Sequence, residues 1–155
     1  MVRGWRAGHH RGRAAVRCGF LDQPIRYDEA WNYLFYSSRT PTHILTSLHP
    51  NNHMLRTLLV RVASHWVGTS PAGLRVPALV AGVLLIPLTA WLAWTLCASR
   101  VSALLAALMV CASSPLVEYS TNSRGYTWLA VFAGLQVICT VHLVRTPARR
   151  WLWSA

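Results

Sequence analysis

Residues 76–99, VPALVAGVLLIPLTAWLAWTLCAS, carry no charged side chain. As a helix rising 1.5 Å per residue this run is about 36 Å long, enough to cross the ~30 Å hydrocarbon core of a bilayer. Pro77 lies near one end and Pro87 near the middle, which membrane helices tolerate because neighbouring groups re-satisfy the freed backbone. Two more apolar runs follow. Residues 101–117 are uncharged and at the short end of spanning length, and residues 127–144 are interrupted only by Gln136 and His142. Soluble domains rarely hold three such runs in succession. The pattern predicts an all-α integral membrane protein with about three transmembrane helices, roughly 75–99, 101–117 and 127–144. Arg100 is expected in a tight turn between the first two, and 118–126 as a polar loop between the last two.

The composition agrees. Over 155 residues, 54% are hydrophobic and only 12% charged. All fifteen basic residues are Arg, and the formal charge is +11. Many of these Arg residues sit at the ends of apolar runs, where they meet anionic headgroups or lipid-linked phosphates. No basic soluble face emerges, so nucleic acid is not an expected partner. Cys97, Cys111 and Cys139 lie within apolar runs, and only Cys18 is in a polar stretch. Without CxxC or Cys/His spacing they read as small apolar residues rather than ligands or disulfides.

Ahead of the spans, residues 1–20 are basic and lack the apolar h-region of a signal peptide; they are expected to be a disordered tail, with the membrane domain over 21–155. Two short interfacial helices are predicted, roughly 28–38 and 50–67. The first carries Trp31, Leu34 and Phe35 on one face, after a loop-breaking Asp28 suited to an N-cap. Residues 37–42 read as a loop. In the second, Pro50 suits the first helical position. Leu55, Leu58, Leu59, Val62, Ala63 and Trp66 form its apolar stripe, with Arg56, Arg61 and Ser64 opposite. That pattern fits a helix lying in the membrane interface, or an ordinary surface helix on a soluble core.

Carboxylates are scarce. Of the four in the chain, Asp22, Asp28 and Glu29 lie close together, and Glu118 stands near Ser123-Arg124-Gly125-Tyr126. Asp28 and Glu29 can serve a helix start, through capping and the helix dipole, or can accept protons and hold cations. Two spans separate the Asp28 region from the 118–126 segment, so both fall on one side of the membrane. Arg100 and the Arg145–Arg150 cluster fall on the other. Charge counting does not settle which side is outside: short segments suggest the second is cytoplasmic, whereas the first holds more Arg in total.

Four motifs occur in order: Tyr27-Asp28-Glu29-Ala30-Trp31, His49-Pro50-Asn51-Asn52-His53, Leu74-Arg75-Val76-Pro77-Ala78-Leu79 and Ser123-Arg124-Gly125-Tyr126. Over about residues 21–145 they resemble the amino-terminal third of bacterial GT-C glycosyltransferases, the group similar to protein mannosyltransferases and lipid A aminoarabinose transferases. The resemblance implies a multi-helix GT-C fold, a polyprenyl-phosphate-linked sugar as donor, and a site on the extracytoplasmic face of the cell membrane. It also implies that Asp28 and Glu29 are the acidic pair, and that Arg124 and Tyr126 belong to a motif that meets the lipid phosphate. Members have a spanning helix before the acidic motif and more helices after it. The chain therefore reads as a piece of such a protein, expected to show no transfer by itself.

The chemistry of these residue types is coherent with that implication. Phosphate is a good leaving group, so transfer from it needs a base for the acceptor hydroxyl and positive charge for the phosphate. Asp28 or Glu29 supplies the first and Arg124 the second, unless Arg124 only snorkels to the interface. Direct displacement would invert the anomeric centre. His49 and His53, with Asp28, can hold a divalent metal ion, or can be interfacial polar residues beside Asn51 and Asn52. The competing functional class is a non-catalytic small membrane protein that binds anionic lipid or a partner through its basic face. Membrane lipids are partners in either case.

Overall fold

The computed structural model describes residues 17, 19–21, 23–49 and 52–145, and among them the fold is all-helical with no strand. In chain order the helices are α1 (Tyr27–Asn32), continued by a π-helical stretch over Tyr33–Ser37, α2 (Pro41–Thr46), α3 (Met54–Trp66), α4 (Pro71–Cys97), α5 (Arg100–Ala112), α6 (Ser114–Thr121) and α7 (Tyr126–Arg145).

Helix α4 is the axis of the molecule, and α3, α5, α6 and α7 all pack against it. It begins where Ser70 Oγ accepts a hydrogen bond from Gly73 N at 3.1 Å, with Pro71 in the first turn, and it ends at Ala98 in the left-handed region (φ 51°). After Pro87, the Thr89 hydroxyl donates to Leu85 O and Ile86 O at 2.9 Å, bonding back onto the proline-weakened turn. The apolar core is small: Ala81, Leu85 and Leu88 of α4 meet Val110 of α5 and Val131 and Ile138 of α7. A Cβ on Gly134 would lie 3.0 Å from Leu88 Cδ2, so glycine there sets how closely α7 approaches α4. On α5 the side turned inward is Ala103, Ala106, Ala107 and Val110, while Leu104, Leu105, Leu108 and Met109 face outward. Small residues inside and large apolar ones outside is the packing of helices in lipid. By length and composition α4 and α7 can each cross a membrane, with mean hydropathies of 2.1 and 1.8.

The expected span over 101–117 is not a single helix. It is broken into α5 and α6, bent by 61°. At 13 residues, α5 is about 20 Å long and too short to cross alone. Ser113 is extended (ψ 109°) and Pro115 lies in the first turn of α6, where its missing N–H and ring force a new start. Hydropathy is blind to this break because neither Ser113 nor Pro115 puts a charge into the run. The chain thus has two spanning candidates, or three if the bent pair counts as one. The polar loop over 118–126 also shortens, because α6 continues through Glu118 to Thr121. Arg100 is the first residue of α5 rather than part of a turn, and Ser99 caps it from Ser102 N at 3.4 Å.

Nearer the amino end, Asp28 is not the N-cap. Arg26 is, and Glu29 reaches back so that its Oε2 accepts from Arg26 N at 3.0 Å. The helix expected over 28–38 starts at Tyr27 and widens to π geometry from Tyr33. Thr40 caps α2 inside the stretch read as a loop. The helix expected over 50–67 is α3, opening at Met54; Pro50 and Asn51 lie outside the described residues, as do most of the 1–20 tail, Asp22 and residues 146–155. Arg17, assigned to that tail, is buried with Nη2 donating to Val110 O at 3.2 Å. Helix α3 is turned opposite to a surface helix on a soluble core. Arg56, Thr57 and Val60 are buried, whereas Leu55, Val62 and Trp66 are exposed. Its polar side packs inward because polar groups await it there, at the start of α4 and in the α6–α7 loop.

Candidate functional site

The buried polar residues collect at one end of the bundle. Arg75, one turn into α4, and Glu29 of α1 form an ion pair in which each side chain is 2% exposed. Arg75 donates from Nε to Glu29 Oε1 at 3.1 Å and from Nη2 to Oε2 at 2.6 Å. Its other N–H groups reach Leu21 O and Gln23 O at 2.8 Å and Pro24 O at 3.1 Å. All five guanidinium donors are therefore used. Glu29 is equally filled. Oε1 also accepts from Ser123 N at 2.6 Å, and Oε2 from Arg26 N at 3.0 Å. Burial pushes the Glu29 carboxyl up, but the bonds from Arg75, Arg26 and Ser123 prevail and hold it below its ordinary value of 4.5. A carboxylate with all four lone-pair positions occupied has no room for a substrate proton.

Its neighbour has a different setting. Asp28 points into an open cleft of about 280 Å³, where Arg124, from the α6–α7 loop, bonds Asp28 Oδ2 through Nε at 2.8 Å and also through Nη2. Both side chains are about two-fifths exposed, at 42% for Arg124 and 38% for Asp28. The hydrogen bond to Asp28 raises the Arg124 guanidinium above its ordinary value. The two segments that span alternation assigned to one side are thus in direct contact. Near the same end, an exposed pair joins Arg26 to Glu118 at 3.0 Å.

A third arginine lines the cleft. Arg56 of α3 is 4% exposed, with Nη2 donating to Ser123 Oγ at 2.7 Å; that hydroxyl in turn donates to Leu74 O at 3.0 Å. Among the described residues Arg56 Nε has no hydrogen-bond partner. Loss of solvent pushes the Arg56 guanidinium down to about 10, although Glu29 and Asp28 oppose the fall. Glu29 cancels Arg75 and Asp28 cancels Arg124, so the cleft carries one positive charge in excess, that of Arg56.

Tyr126 and His53 complete the wall, their rings 5.8 Å apart, with Tyr119 5.4 Å from Tyr126. A Cβ on Gly125 would come within 3.2 Å of His53, so glycine there lets the start of α7 lie against the start of α3. His49 is not part of the cleft lining, and its ring lies 6.0 Å from Tyr36. Among the described residues, no three His, Cys, Asp or Glu side chains are grouped to hold a metal ion.

The cleft brings together Asp28, Arg124, Tyr126 and His53, all candidate site residues of the sequence, and adds Asn32 along with Arg56 and Trp31, which the sequence placed on helix faces without a site role. Arg75, quoted as a motif residue without a role, proves to be the partner of Glu29. Scarcity is the signal that could have found it: with four carboxylates in the chain, an Arg at the head of a long apolar helix must compete for one of them. Chemically, the cleft offers an accessible carboxylate beside two guanidinium groups. In comparisons with protein families, curated proteins and solved structures, the chain has no match.

Proposed function

We propose that the protein is a membrane glycosyltransferase whose cleft receives a polyprenyl-phosphate-linked sugar at the extracytoplasmic surface. One observation carries this reading: the acidic pair is divided, with Glu29 saturated by buried donors and Asp28 open to a cleft of net positive charge. Glu29 orders α1, and Asp28 is left as the proton acceptor. In the transfer, the acceptor hydroxyl gives its proton to Asp28 while its oxygen attacks the anomeric carbon. The bond from that carbon to the phosphate oxygen breaks, and the electron pair leaves with the phosphate. Arg56 and Arg124 neutralise the departing anion. A single displacement inverts the anomeric centre. Asp28 is bonded to Arg124 at rest, so the arriving phosphate also frees the base by drawing Arg124 toward itself.

The surplus charge of Arg56 also favours the plainer reading, an anionic-lipid site without catalysis, and one experiment separates the two. Asp28→Asn is introduced into the chromosomal gene, and native membranes are assayed for transfer of labelled sugar from polyprenyl phosphate. General-base catalysis is worth roughly 10²–10⁴-fold, so a loss of about 10²-fold or more is expected at unchanged protein level. Transfer at the parental rate would mean that Asp28 is not the base, and would leave the binding reading.

A further inference from the structure

The wall of the cleft formed by Tyr126 and His53 has a second side. His53, Arg56 and Tyr126 also line a hollow of about 280 Å³ between the starts of α3 and α7. The two helices meet at Gly125, where a Cβ would come within 3.2 Å of His53. Beyond that point the hollow is a groove, walled by Met54 and Leu55 on α3 and by Leu129 and Phe132 on α7. Tyr126, Leu129 and Phe132 are spaced by three and share one face of their helix, so the groove follows α7 for about 9 Å. Leu55, Leu129 and Phe132 are exposed, and α7 is one of the two helices long and apolar enough to cross a membrane. Charge is thus confined to the end shared with the cleft, and the far end opens on the outer surface of α7.

A groove that is positive at one end and apolar along the rest is the complement of an amphiphile with an anionic head. A helix from a partner or a second copy would cover the apolar part. It would leave unanswered the positive charge that remains once Arg75 is matched by Glu29 and Arg124 by Asp28. Another apolar hollow, between Pro87 and Trp91 of α4 and Val131 and Leu135 of α7, shares no lining residue with the cleft and, among the described residues, has no charged one. That hollow is ordinary lipid-facing surface; the α3–α7 groove differs from it by its charged end. We propose that the α3–α7 groove seats the hydrocarbon tail of a lipid phosphate whose head lies in the cleft, so that the lipid enters sideways from the bilayer between these two helices. Arg124, 42% exposed, meets the phosphate, and the buried Arg56 adds its field at the junction. This rests on the donor reading given above and adds to it the subsite for the tail and the route of entry. The groove supplies position rather than affinity, because a tail in lipid is already in apolar surroundings. What it removes is the cost of drawing methylenes through water as the phosphate reaches the charged end.

The test is photolabelling of the protein in nanodiscs. The probe is a polyprenyl phosphate with a diazirine on the isoprene unit next to the phosphate, and adducts are mapped by mass spectrometry. Labelling should fall on Leu55, Leu129 or Phe132. Unlabelled polyprenyl phosphate should displace it, and polyprenol, which has the tail without the charge, should not. In parallel titrations, Leu129→Trp puts a larger side chain at an exposed position and fills the groove. It should cut affinity for polyprenyl phosphate about tenfold, the equivalent of roughly two methylenes forced into water. Affinity for isopentenyl phosphate, which has no long tail to seat, should stay at the parental value. Equal displacement by polyprenol would make the groove ordinary lipid-facing surface and overturns the proposal. So does phosphate-dependent labelling that maps instead to Cys111 or Val117, in the cavity beside Arg26 and Glu118, or parental affinity for polyprenyl phosphate in Leu129→Trp. Each of these leaves the phosphate site in place. Binding of neither phosphate by the parent removes the donor reading itself.

Discussion

Replacing Glu29 by Gln tests the division of the acidic pair at its structural half. Glu29 accepts four hydrogen bonds, two at each oxygen. Gln can present its oxygen to one pair of donors only, and its NH₂ then faces the other pair, donor to donor. In either orientation two of the four bonds are lost and the Arg75 charge stays buried without a carboxylate. Breaking a buried pair from one side costs about 3–5 kcal/mol, or two to nearly four powers of ten in the folding equilibrium at ~1.4 kcal/mol each. The assay is chemical unfolding in detergent micelles, followed by tryptophan fluorescence, in a double-mutant cycle with Arg75→Met. That second change also frees the carbonyls of Leu21, Gln23 and Pro24, so only the coupling term isolates the pair. The combined variant should be clearly less unstable than the sum of the single ones. The pH dependence has a definite sign. Because the folded carboxyl lies below its ordinary 4.5, its contribution is complete above about that pH and is lost as pH falls through the folded value. The gap between parent and Glu29→Gln should be flat near neutrality and close in acid. A Gln variant within about 1 kcal/mol of the parent, or an additive cycle, would refute the reasoning.

Two further outcomes follow from the same geometry. In a background without native cysteines, single cysteines at positions 28 and 124 should label from one side of the membrane, and those at 100 and 145 from the other; labelling of 28 and 124 from opposite sides would separate the site. Since burial pushes Arg56 down to about 10, its cost to the fold is carried while it is charged and eases as pH rises past that value. Affinity for polyprenyl phosphate, measured by titration in nanodiscs, should instead fall through the same range, and Arg56→Gln should remove that fall along with much of the binding.

How much of this was legible in the sequence follows from which interactions are local. The helix at 76–99 was visible because a run of uncharged residues is its own evidence, and α7 for the same reason. The break at Ser113 was not, because apolar composition is blind to one extended residue before a proline. Alternation of spans brought Asp28 and Arg124 to one side, and the fold brings them into contact. Hydrophobic periodicity separated Arg56, which is buried, from Leu55, Val62 and Trp66, which are exposed. It could not say that the Arg56 face turns inward, because that depends on Ser123, 67 positions away, and on what surrounds the helix. Helix-start rules gave Asp28 the capping role that falls to its neighbours, since Glu29 closes the first turn and Asp28 pairs instead with Arg124.

The four carboxylates explain why the cleft should prefer an anion. Among the described residues, Glu29 is matched by Arg75, Asp28 by Arg124 and Glu118 by Arg26. Other arginines settle on backbone carbonyls: Arg61 on Ser37 and Arg39, Arg145 on Thr95, Arg17 on Val110. Arg56 is deeply buried, bonded through Nη2 to a hydroxyl, and it lines the cleft. A buried charge with no carboxylate bonded directly to it is costly to a fold. Replacing Ser123, its one hydroxyl partner, would raise that cost. A phosphate seated between Arg56 and Arg124 would lower it, so the energy spent in burying Arg56 returns as affinity for the ligand.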